Sequence, residues 1–134
     1  MKVRGKKGVE EIDAKEKALL SVRAAESKKA NDVVLLDLRE RSNFTDYFVI
    51  CSGNTQRQMK AVVEAVIEKL QKKGVSPWHS EGIEGNAWML LDYGDVVVHV
   101  FESAVREFYD LEHLWGDAPR VNVPRSRSKQ AGIK

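Results

Sequence analysis

Apolar residues recur at helical spacing in the middle of the chain. Met59, Val62, Val63, Val66, Ile67 and Leu70 fall at i, i+3, i+4, i+7, i+8 and i+11, which is one face of an α-helix. Asn54 or Thr55 stands where a cap belongs, because a short polar oxygen can take an early free N–H. Gly74 suits the left-handed residue just past the end. Lys60/Glu64 and Glu68/Lys72 stand four apart on the outer face, where opposite charges support a helix. A weaker stripe of Leu19, Val22 and Ala25 follows Asp13-Ala-Lys-Glu16, which has the form of a capping box. It predicts a first helix from Asp13 to about Lys28 and Lys29. Val105, Phe108, Leu111 and Trp115 predict a last helix, capped by Ser103 and stopped at Gly116.

Between the helices the period changes. DVVLLDL (32–38) and DYFVICSG (46–53) are short β-branched or aromatic runs and read as strands. VSPWHSEGIEG (75–85) reads as an extended piece. Pro77 removes a ladder donor, which puts that piece at a sheet edge. A strand to Asp92, a turn at Tyr93-Gly94 and a strand from Asp95 to Phe101 follow. Val96, Val98 and Val100 make one face of the last strand apolar, and Val97 and Phe101 flank His99 on the other. A strand apolar on both faces needs a layer on each side. The order α, β, β, α, β, β, β, α therefore predicts an α/β fold: a mixed sheet of about five strands with helices packed on it.

Composition bounds the class. The chain has 134 residues, enough for one domain with a core of its own. It divides into a basic N-terminal tail (1–12), a folded domain (13–118) and a basic C-terminal tail (119–134) that reads as disordered in isolation. The single cysteine, Cys51, permits no internal disulfide and fits a reducing compartment. No run of 18 apolar residues spans a membrane, and the basic N-terminus lacks the apolar segment of a secretory signal. The cytoplasm is the simplest address.

Charge sharpens the picture. The net +2 hides tails that hold nine of the 22 basic residues and no acid within 1–9 or 120–134. Residues 75–119 hold nine acids and one base, Arg106. Such an acidic stretch disfavours nucleic-acid phosphates and favours a basic partner; excess charge that only keeps the protein soluble is the other reading.

CSGNTQRQMK puts a small-residue loop between a strand and a helix N-terminus, a geometry that can hold phosphate. It lacks the Walker lysine and the spaced glycines of a dinucleotide loop. A nucleotidyltransferase using Ser52 and Gly53 would need converging carboxylates for Mg²⁺; VSPWHSEG has no such pair, and Asp92 and Asp95 flank a turn. His79, His99 and His113 lack ligand spacing, and no nucleophile elbow supports a Ser–His–Asp triad. No cofactor or metal is expected. His99, on an apolar strand, reads as a core histidine. The aromatics remain: Trp78 is the surface candidate, while Trp88 and Trp115 lean toward the core. Tryptophan and tyrosine rimmed by carboxylates suit a Lys/Arg-rich partner.

DYFVICSGNTQRQMKAV, PWHSEG, WMLLDYGDVVVHVF and REFYDLEHLWGDA occur in this order. Together they closely resemble the ribosomal silencing factor, or Iojap-like, family, over about residues 14–118. The resemblance implies a nucleotidyltransferase-like fold without catalysis. It also implies docking on the large ribosomal subunit through the ribosomal protein numbered fourteen, a block of subunit joining when nutrients are short, and a homodimer in isolation. Taken with the charge pattern, it nominates Trp78, Glu81, Asp92, Tyr93, His99, Tyr109 and Glu112 as partner-binding residues, with His99 orienting its neighbours rather than touching the partner.

Overall fold

The computed structural model describes residues 12–82, 87–110 and 118–121. The elements run α1 (Ala14–Ser27), β1 (Asn31–Asp37), β2 (Tyr47–Gly53), α2 (Gln56–Gln71), β3 (His79–Glu81), β4 (Trp88–Asp92), β5 (Val96–Glu102) and α3 (Ser103–Tyr109). The five strands form one mixed sheet in the order β1-β2-β5-β4-β3. β2 and β5 run parallel at its centre, and the other neighbours are antiparallel.

The caps follow the sequence. Asp13 Oδ1 accepts from the Glu16 N–H at 2.8 Å, and Thr55 Oγ1 accepts from the Gln58 N–H at 3.0 Å. Gly74 takes a φ of +79° after α2. β3 is an edge strand, where Pro77 costs no ladder bond. Two expectations at the last helix change. Its cap position is Glu102, without a side-chain bond, because the Ser103 hydroxyl instead donates to Gly53 O at 3.1 Å. The helix is described to Tyr109, with Asp110 in the left-handed conformation; Trp115 and Gly116 lie outside the described residues.

Every residue of β2 and six of seven in β5 are buried, because the sheet is covered on both sides. On one side α1 and α2 lay Val22, Ala25, Met59, Val62, Val66 and Leu70 over Leu35, Val49, Val98, Val100, Met89 and Leu91. On the other, Leu36, Phe48, Ile50, Val97 and Phe101 form a smaller cluster under Val105 and Ala118. The chain after residue 118 does not leave the fold at once. Asp37 N–H donates to Pro119 O, Val121 N–H donates to Leu35 O, and Arg120 bridges Leu36, so residues 119–121 line the outer edge of β1.

Candidate docking face

Strand register decides which side chains share the second face. One row runs Val34, Ile50, His99, Leu90, Glu81 across the five strands, and the next runs Leu36, Phe48, Val97, Asp92, His79. Phe101 and Trp88 form a third pair on the same side. Alternation along each strand puts the intervening residues under the helices. The middle of this face is apolar and closed, and its β4–β3 rim carries carboxylates. Val34, Trp88 and Leu90 are only partly buried on it.

Three of the nominated residues meet here. Glu81 is exposed and pairs with His79, Oε2 to Nε2 2.6 Å. Asp92 is half-buried, and its Oδ1 accepts the Gly94 N–H at 2.8 Å. His99 is buried between Phe48, at 4.4 Å between ring centroids, and Phe101. Its Nδ1 accepts the Trp88 indole N–H at 3.1 Å, and its Nε2 has no partner among the described residues. Burial pushes the imidazole pKa down to about 3, because a charged ring there would lose its water. His99 is thus a neutral core residue that orients its neighbour.

The other nominations fall elsewhere. Tyr93 is a correction: it is 3% exposed and packs in the helix-covered core, so it offers no docking surface. The reason is the turn. Tyr93 N–H bonds Val96 O at 2.8 Å, which closes a hairpin around Gly94-Asp95 rather than Tyr93-Gly94. Tyr93 is therefore the last inward residue of its strand. Burial raises its hydroxyl pKa. Trp78 is 79% exposed and stands just outside β3. Tyr109 ends α3, and Glu112 lies outside the described residues. Asp95 does not diverge freely from the turn either; it takes Lys17 Nζ at 2.8 Å.

Trp88, which leans toward the core in the sequence, does pack on His99 and Phe101 but stays only partly buried. The spacing carries this position: once Gly94-Asp95 is the turn, Trp88 opposes Phe101 and lies diagonally from His99.

The loop opening α2 is filled by the chain's own groups. Asn54 N–H donates to Gln58 Oε1 at 2.8 Å, and Gln58 Nε2 donates to Lys28 O and Lys29 O. A Cβ on Gly53 would meet Met59 Cγ at 3.1 Å. Ser52 Oγ accepts from Arg106 Nη1 at 3.1 Å. The residues that would cradle a phosphate instead tie α2 to α1 and α3. Cys51 is buried beneath them, its thiol pushed up to about 12 by desolvation, so it is held as an unreactive thiol. Among the described residues no group of three or more His, Cys, Asp or Glu is placed to hold a metal ion, and no helix is long and apolar enough to cross a membrane.

A sequence-family model described as "Ribosomal silencing factor during starvation" matches residues 11–134. The chain belongs to the ribosomal silencing factor family. Among curated relatives, the ribosomal silencing factor RsfS of Halalkalibacterium halodurans is 43% identical over 104 residues, 78% of this chain and 89% of that one. RsfS of Bacillus subtilis is 41% identical over 110 residues, 81% of this chain and 93% of that one. The chloroplastic protein Iojap of Zea mays is 33% identical over 113 residues, 84% of this chain and 49% of the plant protein. A crystal structure of a Chromobacterium violaceum protein superimposes with a TM-score of 0.76 at 36% identity, covering 88% of this chain and 98% of that one. The stretches DYFVICSGNTQRQMKAV and WMLLDYGDVVVHVF, which carry the resemblance, lie on β2, α2 and the β4–β5 hairpin.

Proposed function

We propose that the chain silences translation by docking on the large ribosomal subunit and blocking subunit joining sterically. The partner in this reading is the basic ribosomal protein numbered fourteen, and the address is the cytoplasm. The observation that carries the reading is the second sheet face, where Trp88 and Leu90 stand partly exposed beside Asp92 and Glu81. An apolar centre excludes water on docking, and carboxylates at its edge select a Lys/Arg-rich partner and speed encounter. A standard interface buries roughly 800 Å² per partner, which one face of a domain this size supplies. Steric occupancy needs no turnover. The reading of this chain as a factor rather than an enzyme also draws support from the α2 loop, whose phosphate-facing groups bond one another.

The test is co-sedimentation of the purified chain with isolated large subunits, followed by small subunits. The chain is expected to stay on the large subunit while the joined-ribosome peak falls. A chain that remains in the supernatant would sink the reading. Glu81→Lys with Asp92→Asn is expected to weaken binding while the fold holds, since asparagine keeps an acceptor for the Gly94 N–H.

A further inference from the structure

Trp78 is not part of the face described above. It precedes β3, and its backbone N–H closes the ladder by donating to Asp92 O at 2.8 Å. Its indole lies against Gly94, at the tip of the β4–β5 hairpin. A Cβ built on Gly94 would stand 2.9 Å from Cη2, 3.0 Å from Cζ2 and 3.1 Å from Cζ3 of the ring. The ring therefore rests flat enough on the glycine that any side chain there would strike its six-membered portion. Gly94 itself is pinned, with φ +89° and its N–H on Asp92 Oδ1. Even so, Trp78 remains 79% exposed.

These facts describe an indole supported from below and open above. A free surface tryptophan samples several rotamers and loses that freedom on binding. One laid on a glycine loses less, so its exposed face is ready for a partner. The chemistry of that partner follows from charge. Asp95, after Gly94, is paired with Lys17 Nζ at 2.8 Å. Asp92 lies closer to the ring: its carbonyl accepts the Trp78 N–H and its Oδ1 the Gly94 N–H, and among the described residues no cation pairs with it, so the carboxylate repels a phosphate. A guanidinium is attracted by the Asp92 carboxylate, and its plane stacks on the electron-rich face of an indole.

We infer that the Trp78–Gly94 platform is a second contact site, which seats an arginine side chain of a basic protein partner. It lies at the hairpin tip, apart from the sheet face. The inference rests on the proposed function only in supposing that one protein partner engages both.

The full chain is titrated with an arginine-rich peptide and with a lysine-rich peptide of the same length and charge, reading tryptophan emission. Trp78→Phe and Trp78→Ala isolate the contribution of this ring from Trp88 and Trp115. The arginine peptide is expected to bind more tightly than the lysine peptide. Trp78→Ala is expected to weaken it roughly three- to thirty-fold, and Trp78→Phe to retain most of the binding. Equal binding by wild type and Trp78→Ala, or no preference for arginine, overturns the inference. So does a single-stranded RNA homopolymer that perturbs Trp78 emission where the peptide does not. The same variants are then sedimented with large subunits. A wild type that binds the arginine peptide through Trp78 but not the subunit retains the platform and removes the proposed function. Subunit binding left unchanged by Trp78→Ala removes the platform alone.

Discussion

Trp88 donates its indole N–H to His99 Nδ1 across 3.1 Å, with the two ring centroids 5.8 Å apart. An indole N–H is a donor only, so Nδ1 carries no proton and the neutral ring holds its hydrogen on Nε2. That nitrogen is buried without a partner among the described residues. The bond fixes the plane of the half-buried Trp88 ring, which also stacks on Phe101 at 5.0 Å between centroids. The exposed part of this sheet face is thus shaped by a buried histidine.

The protonation of His99 makes stability depend on pH. Its folded pKa is about 3 against an ordinary 6.5, so the unfolded chain takes the proton first. The stability at stake is fully present above pH 6.5 and is lost as pH falls toward 3, at about 1.4 kcal/mol per pH unit. Urea unfolding at pH 7.5, 5.5 and 4.5 is expected to show this slope in the wild type and a smaller one in His99→Phe. Parallel curves for the two proteins would show that His99 does not carry the dependence.

Gly94→Ala is expected to destabilise the domain twice over. The residue sits at φ +89°, and the new Cβ meets the Trp78 ring at 2.9 Å. Backbone strain alone costs about 1–3 kcal/mol. Combining Gly94→Ala with Trp78→Ala is expected to recover the steric part and leave the backbone part. Thermal melts of the two single variants and the double variant separate these terms; strictly additive losses would mean that ring and glycine do not interact.

Arg106 ties α3 to the sheet. Its Nη1 donates to Ser52 Oγ at 3.1 Å and to Asn31 O at 3.2 Å, and the residue is buried. Hydrogen bonds to a charged group contribute about 1.5–3 kcal/mol, so Arg106→Ala is expected to lose stability of that order. Amide exchange should rise in α3 first. Unchanged protection in α3 would show that Val105 and its apolar neighbours hold the helix without the arginine.

Nucleotides are expected to leave the melting temperature unchanged. Gln58 and Thr55 already satisfy the N–H groups of Asn54 and Gln58 at the α2 entrance. A ligand at 100 times its dissociation constant would stabilise the chain by about 2.7 kcal/mol. A shift of that size with ATP or CTP and Mg²⁺ would restore the nucleotide reading of the Ser52-Gly53 loop.

Much of this protein was legible along the chain. Element order, the capping of α1 by Asp13 and of α2 by Thr55, the edge position after Pro77 and a sheet covered on both sides follow from period, caps and proline chemistry, which are local. The silencing-factor resemblance came from motifs in order, and the family match agrees with it. The site was less legible. A one-residue difference in the hairpin turn carries Tyr93 into the core, and only the Tyr93–Val96 bond settles it. The position of Trp88 beside His99 depends on strand register, and that of Trp78 depends on which backbone passes beneath its ring. Ser103 abandons its own helix for Gly53, 50 residues away. Period along a chain reports how much of each face is buried. Which distant groups meet on that face is set by packing and hydrogen-bond competition in three dimensions, and only the tertiary structure decided it.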